Sequence, residues 1–210
     1  TLVEVGDLIR ARYVFDHIAK PNEHSWNFLI TGYMKYDHDP KKSLDLYDEE
    51  SMRNMDVPFQ NLETTFRPSG HSFVMLLKAC AELNDLGKAC QIHAHMARNG
   101  IFSQSDVCVD SALVYTYAKC GSLVKAKGVF DSIVVKNLVL YTALISGCVE
   151  HGQTKEALNC FKQMQHERYL PDEVTYLSVL TACSHSCLVE EGSLHFENMS
   201  RKHGLTPNNQ

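Results

Sequence analysis

Apolar residues recur at helical spacing in paired segments that are separated by short turns. Between 138 and 172 the first apolar stripe comprises Val139, Tyr141, Leu144, Ile145 and Cys148. The second stripe comprises Ala157, Leu158, Phe161 and Met164. The turn HGQ at 151–153 separates the stripes, and Pro171 stops the second one. The pattern predicts antiparallel pairs of α-helices, with a permissive backbone at or near the turns supplied by Gly121, Gly152 and Gly192.

These helical pairs recur along the chain. GDLIRARYVFD from Gly6 returns as GSLVKAKGVFD from Gly121, and FVMLLKAC at 73–80 returns as YLSVLTAC at 176–183. The recurrences predict one truncated unit, five full units and a short tail, with bounds 1–22, 23–69, 70–106, 107–137, 138–172, 173–208 and 209–210. The second of these is longer than the others, so we expect an insertion near 48–67. Because such units bury their apolar faces only against neighbours, the predicted fold class is an all-α solenoid.

Composition and charge argue against some classes of function. The chain is 44% hydrophobic and 21% charged, which is ordinary for a folded protein. Its net charge of -5 argues against a binder that depends on bulk attraction to phosphate, but not against one that reads bases through hydrogen bonds and stacking. No run of 18 apolar residues predicts a membrane span. The sequence starts inside a helical pattern, and we therefore expect it to be an internal fragment.

The eight cysteines include no CxxC pair, and several lie among apolar residues at helical spacing. Buried free thiols are the favoured interpretation, with disulfides or a metal site as alternatives. Cys183, His185 and Cys187 could hold zinc, but Cys183 shares its repeat position with Cys80, which favours packing. HFE at 195–197 matches the HxE of zinc deaminases, which also require a downstream PCxxC that is absent here. We predict no enzyme activity, no cofactor and no metal.

Four segments resemble plant pentatricopeptide repeats: SWNFLITGY at 25–33, VYTYAKCGSLVKAKGVFD at 114–131, YTALISGCVEHGQTKEALNCFKQM at 141–164 and YLPDEVTYLSVLTACSHSCLVEEG at 169–192. The order of unit lengths is similar to the mixed subclass, in which standard, long and short repeats alternate. Here 23–69 and 138–172 are similar to standard repeats, 70–106 and 173–208 to long ones, and 107–137 to a short one. The resemblance implies a right-handed superhelical solenoid in a mitochondrion or chloroplast, without the C-terminal deaminase domain of some members.

The resemblance also implies binding of single-stranded RNA, with about one base read by two or three side chains of each repeat. In the family, the fifth and last residues of a repeat read the base, and the second residue sandwiches it. The reading pairs would be Asn27 with Ser69, Val74 with Asp106, Ser111 with Asn137, Thr142 with Asp172, and Leu177 with Asn208. The sandwiching residues would be His24, His71, Cys108, Val139 and Val174. Lys35 and Lys119, near the ends of first helices, could meet phosphates.

The hydrogen-bonding groups of these pairs indicate which base each repeat would bind. Guanine and uracil present an N–H donor at the centre of the pairing edge, which suits a terminal Asp, whereas adenine and cytosine present an acceptor, which suits Asn. The resemblance then implies guanine for 138–172, adenine for 107–137, and a pyrimidine, cytosine before uracil, for 23–69. The apolar fifth residues of 70–106 and 173–208 cannot hydrogen-bond a base. The expected 5′→3′ pattern is C/U, any, A, G, any.

Two alternatives stay open. The polar residues at repeat ends could serve only as N-caps of the helices that follow. The chain could also be a protein-binding scaffold of the tetratricopeptide type, which the acidic balance and the apolar Val74 and Leu177 favour. The first hypothesis is a specificity factor in organelle RNA processing such as C-to-U editing, in which the long repeats could contact proteins of the editing complex.

Overall fold

The structure is a computed structural model that describes residues 3, 6–18, 21–55, 68–98, 100 and 107–204. These residues form helices and no strand, which confirms the all-α prediction. The α-helices are α1 (Leu8–Asp16), α2 (Glu23–Gly32), α3 (Pro40–Met55), α4 (Gly70–Leu83), α5 (Leu86–Arg98), α6 (Val107–Lys119), α7 (Leu123–Ser132), α8 (Leu138–Glu150), α9 (Thr154–His166), α10 (Glu173–His185) and α11 (Val189–His203). A short π-helix, Tyr33–Asp37, extends α2.

Each full unit expected from the sequence contains two of these α-helices, from α2 with α3 to α10 with α11. The expected insertion at 48–67 begins inside α3, because residues 48–55 continue that helix. Residues 56–67 lie outside the described part of the chain. The chain packs as two compact units, Thr1–Ala112 and Leu113–Gln210.

In the first compact unit, α4 is the central element and packs against α2, α3 and α5. Its Phe73 side chain is fully buried, and the ring meets the His95 ring of α5 edge to face at 5.7 Å. The Tyr47 hydroxyl of α3 lies 2.7 Å from Nδ1 of the same histidine. The core therefore contains a polar contact that is satisfied internally.

In the second compact unit, α8 packs against α9 and α10, and α10 also packs against α11. The stripe of α9 that the sequence predicted is buried as expected, at Ala157, Leu158, Phe161 and Met164. In α8 the stripe residues Tyr141, Leu144, Ile145 and Cys148 are buried, but Val139 is 58% exposed because the buried face begins at Leu140. The prediction that Val139 belongs to the apolar core stripe was therefore wrong.

One aromatic contact recurs at the fourth residue of three units. Trp26, Tyr141 and Tyr176 are all buried, and each meets the edge of a phenylalanine from the helix before it. The ring centroids are 4.6 Å apart for Phe15–Trp26, 4.9 Å for Phe130–Tyr141 and 5.7 Å for Phe161–Tyr176. Such tilted aromatic pairs stabilise a core beyond their buried area. In these three units the contact joins the first helix to the helix before it.

The turns between paired helices contain a residue with positive φ. Gly121 and Gly152 have φ values of 77° and 67°, as the sequence predicted, because a residue with a Cβ rarely adopts this conformation. In the last pair the corresponding residue is Cys187, with φ 55°. Gly192 instead lies inside α11, where a Cβ would approach Cys183 Cβ to 3.3 Å. Its role is close helix packing.

All eight cysteines are free thiols. Cys80, Cys148, Cys160 and Cys183 are buried, as the helical spacing predicted. Cys108 and Cys187 are exposed. No described helix combines the length and the hydrophobicity of a transmembrane span.

Candidate nucleic-acid interface

Among the described residues, the polar residues that end the predicted repeats cap the helices that follow them. A side-chain oxygen accepts from the backbone N–H three residues ahead at Asn22, Ser69, Asn137 and Asp172. The bond lengths are 2.8 Å for Asn137 and Asp172, and 2.9 and 3.3 Å for Asn22 and Ser69. The capping role considered for these positions is therefore real.

Capping engages only one side-chain oxygen of Asp172 and of Asn137. Both described hydrogen bonds of Asp172 end on Oδ1, and Oδ2 takes part in neither. Asn137 caps α8 through Oδ1, which leaves its amide N–H groups outside that bond. A cap that holds one atom of the side chain also fixes the direction of the other, so capping and base reading are compatible.

A hydrogen-bond network joins the fifth and last residues of the unit 138–172. Thr175, the third residue of the next unit, donates from Oγ1 to Asp172 Oδ1 at 2.6 Å. Its Oγ1 also lies 2.9 Å from Thr142 Oγ1. A hydroxyl has one proton, and that of Thr175 is committed to the carboxylate, so Thr142 must donate to Thr175. The outward side of this pair is left with acceptors, namely Thr142 Oγ1 and Asp172 Oδ2.

The unit 23–69 has a network with the same register. The Ser72 hydroxyl, again at the third residue of the next unit, donates to Asn27 Oδ1. Ser69 Oγ lies 3.2 Å from Ser72 Oγ, and the same proton count makes Ser69 the donor. Because the amide oxygen of Asn27 is held by Ser72, its NH₂ group is the part available to a ligand.

Sequence reasoning missed both bridging hydroxyls. Ser72 and Thr175 each lie three residues after a polar repeat end, a spacing that indicates local capping at most. The bonds to Asn27 and Thr142 join residues 45 and 33 positions apart, so a pattern within one helix cannot indicate them. The comparable position after 107–137 is Leu140, which has no hydroxyl. There Ser111 donates instead to the Val107 carbonyl of its own helix at 2.7 Å.

The five sandwiching candidates are all exposed: His24, His71, Cys108, Val139 and Val174. Val139 and Val174 both occupy the second position of a helix, in α8 and α10, and their exposure is compatible with contact to a flat ligand. Leu177 is 67% exposed and Val74 is half-buried. Two candidate readers, Asp106 and Asn208, lie outside the described residues.

The two phosphate candidates differ in their surroundings. Lys119 Nζ lies 2.8 Å from Glu150 Oε2, and this contact raises the pKa of Lys119. Its charge is therefore partly neutralised within the protein. Lys35 lies exposed on the π-helix. Exposed ion pairs contribute only about 0–1 kcal/mol, so a phosphate could compete with Glu150 for Lys119.

The HFE motif at 195–197 belongs to the core of the last helical pair. His195 is buried on α11, and its ring meets Phe161 edge to face at 5.2 Å. Burial lowers the pKa of His195. Glu197 faces solvent and lies 3.6 Å from Arg201. The motif therefore has a packing role, and the described residues contain no group of His, Cys, Asp and Glu that could hold a metal ion.

Comparisons with known proteins agree on one family. The model of the PPR repeat family matches residues 136–185. A pentatricopeptide repeat-containing protein of Arabidopsis thaliana is 35% identical over 98% of this chain and 38% of its own length. The chloroplastic pentatricopeptide repeat-containing protein DOT4 of the same plant is 36% identical over 96% of this chain and 22% of its own length. A mitochondrial relative of that plant is 31% identical over 95% of this chain and 33% of its own length. The chain thus spans well under half the length of these relatives.

Solved structures share the fold. The pentatricopeptide repeat protein PPR10, in complex with an 18-nt psaJ RNA element, superimposes on 90% of this chain with a TM-score of 0.64 and 18% identity, using 26% of its own length. PPR10 from maize covers 99% of this chain with a TM-score of 0.63 and 23% identity, using 29% of its own length. These structures share the helical hairpins, and the family model at 136–185 together with the Arabidopsis relatives shows that the chain belongs to the pentatricopeptide repeat family.

Proposed function

We propose that this chain binds single-stranded RNA sequence-selectively, with about one base for each repeat. The observation that carries the proposal is the network joining Thr142, Thr175 and Asp172. Val139 and Val174 lie on the same two helices as Thr142 and Thr175 and are exposed, so a base held between the two valines would meet the acceptors of the network. Hydrogen-bond readers between apolar faces are what recognition of an unstacked base requires.

The proposed readout differs between repeats. Thr142 with Asp172 selects guanine, Ser111 with Asn137 selects adenine, and Asn27 with Ser69 selects a pyrimidine, with cytosine preferred. The repeats that begin at 70 and 173 discriminate weakly, because Val74 and Leu177 have no polar atoms in their side chains. The proposed pattern is C/U, any, A, G, any.

The cellular setting is proposed from the relatives. Their names include chloroplastic and mitochondrial proteins, which supports a role in a plant organelle. PPR10 was solved with RNA, which supports RNA as the ligand class. The alternation of standard, long and short repeats supports a specificity factor for RNA processing such as C-to-U editing, in which any chemistry is performed by another domain or protein. The long repeats would then contact proteins of the editing complex.

A binding assay tests the function. Fluorescence anisotropy with a labelled RNA that contains the pattern CNAGN should give tighter binding than a scrambled RNA of equal composition. The salt dependence should be modest, because the acidic chain neutralises few phosphates. Equal affinity for both RNAs would contradict the proposal.

The competing function is a protein-binding scaffold. The observation that favours it is the exposed apolar pair Val174 and Leu177 on α10, which are 55% and 67% exposed. A double substitution of these residues to Ser separates the functions. If the chain binds RNA as proposed, the double variant should have a lower RNA affinity than the wild type. If the chain is a protein-binding scaffold, the RNA affinity should be the same in both.

A further inference from the structure

The two networks share one feature that the family resemblance does not assign. In each, the hydroxyl between the two reading residues belongs to the third residue of the following unit, which is Thr175 in one case and Ser72 in the other. We propose that these two residues determine base specificity by positioning: each fixes which atoms of the reading pair donate and which accept. The proposal rests on the proposed RNA-binding function.

At Thr175 the bridge creates a surface made only of acceptors. The Thr175 proton goes to Asp172, so the Thr142 proton goes to Thr175 and is unavailable to a base. What remains are a lone pair on Thr142 Oγ1 and the free oxygen of Asp172. Guanine offers two donors on its pairing edge, N1–H and the N2 amino group, whereas uracil offers N3–H alone. Asp172 by itself would accept from either base, so the bridge supplies the preference for guanine over uracil.

At Ser72 the bridge has the opposite result. Its proton holds the amide oxygen of Asn27, so the NH₂ group is the part that can meet a base. Cytosine offers the acceptors N3 and O2 on its pairing edge. Uracil offers an N3–H donor, which would oppose the NH₂ donors of Asn27. The bridge therefore selects cytosine over uracil at this unit.

Burial supports a positioning role rather than direct contact. Ser72 and Thr175 are both fully buried, while Asn27 and Thr142 are partly exposed. A base can reach the reading pair and is kept from the bridging hydroxyl. The hydroxyl acts by holding the orientation of its neighbours, and its loss would let Thr142 or the amide of Asn27 rotate.

The test compares RNAs that differ only at the base assigned to 138–172, with guanine, uracil or adenine there. Thr175→Val keeps the shape of the side chain and removes the hydroxyl. The preference for guanine over uracil should fall about fivefold, the range of one neutral hydrogen bond. The preference for guanine over adenine should persist, because the free oxygen of Asp172 still accepts. Thr175→Ser should retain both preferences.

Thr181→Val is the matched control, since Thr181 lies on the same helix and its hydroxyl donates to the Leu177 carbonyl at 2.8 Å. It should leave both ratios unchanged. The proposal is overturned if Thr175→Val weakens binding to all three RNAs equally or leaves the guanine-to-uracil ratio as it was. A wild-type chain without any base preference would refute the RNA-binding function, and this would be seen before any substitution.

Ser72→Ala provides an independent test of the positioning role. It replaces the first test if thermal melting shows that Thr175→Val is unfolded. The expected result is a loss of about fivefold in the preference for cytosine over uracil at the base assigned to 23–69. An unchanged ratio in a folded Ser72→Ala protein overturns the proposal.

Discussion

The hydroxyl oxygens of Thr142 and Thr175 lie 2.9 Å apart, although the residues occupy first helices of successive repeats. The fifth residue of one repeat is thus held by the third residue of the next. The proposed base-reading unit therefore crosses the boundary between repeats. A repeat excised from its successor would lose the orientation of its own reader.

Asp172 should contribute to stability through its cap as well as to RNA binding. Asp172→Ala removes the oxygen that accepts from Thr175 N at 2.8 Å, and the free energy of unfolding should fall by about 1 kcal/mol. Asp172→Asn keeps a capping oxygen and should unfold close to the wild type. Urea denaturation followed by circular dichroism measures both. Equal loss in the two variants would show that the charge, not the cap, matters.

Close packing between α6 and α8 depends on Gly147. A Cβ at this position would lie 2.1 Å from Ala118 Cβ and 3.2 Å from its Cα, so the helices would have to separate. Gly147→Ala should lower the free energy of unfolding by about 1–3 kcal/mol. Gly128→Ala in α7, where a Cβ meets nothing within 4 Å, should be neutral or stabilise by up to about 1 kcal/mol. Thermal denaturation measures both variants. An equal change in melting temperature for the two would contradict this packing.

Acid should destabilise the first compact unit through His95. Burial lowers the pKa of His95 below its ordinary value of 6.5, and its Nδ1 lies 2.7 Å from the Tyr47 hydroxyl. The unfolded chain therefore takes up a proton before the folded one does. Stability is complete above about pH 6.5 and falls as the pH drops toward the lowered pKa of the folded state.

Urea denaturation at several pH values measures this dependence. His95→Gln keeps a polar group near Tyr47 and cannot titrate, so its stability should change less between pH 7 and pH 5. An identical slope in the variant and the wild type would exclude His95 as the source.

Releasing Lys119 from its ion pair should strengthen RNA binding. Glu150 lies 2.8 Å from Lys119 Nζ, and Glu150→Gln would leave that ammonium free to meet a phosphate. Affinity should rise, and the slope of log K against log salt should steepen by up to about one. The double variant with Lys119→Gln should lose this gain. A gain that persists in the double variant would show that it comes from net charge alone.

Much of the fold is predictable from the sequence, because the features that specify it are local. Apolar spacing predicts the helices of 138–172, and Gly121 and Gly152 predict the turns between them. Val139 differs from the prediction because periodicity alone does not show where a buried face begins. The networks at Ser72 and Thr175 could not be predicted, since they depend on how one hairpin is placed against the next.

Single side chains of this chain are proposed to select single bases, and the substitution Asp172→Asn changes one such side chain. The measurement is the dissociation constant of the wild type and the variant for two RNAs that differ by guanine or adenine at one position. The wild type should prefer guanine, and the variant should shift toward adenine, because an amide can donate where a carboxylate only accepts. An unchanged preference for guanine in a folded variant would show that Asp172 does not select the base.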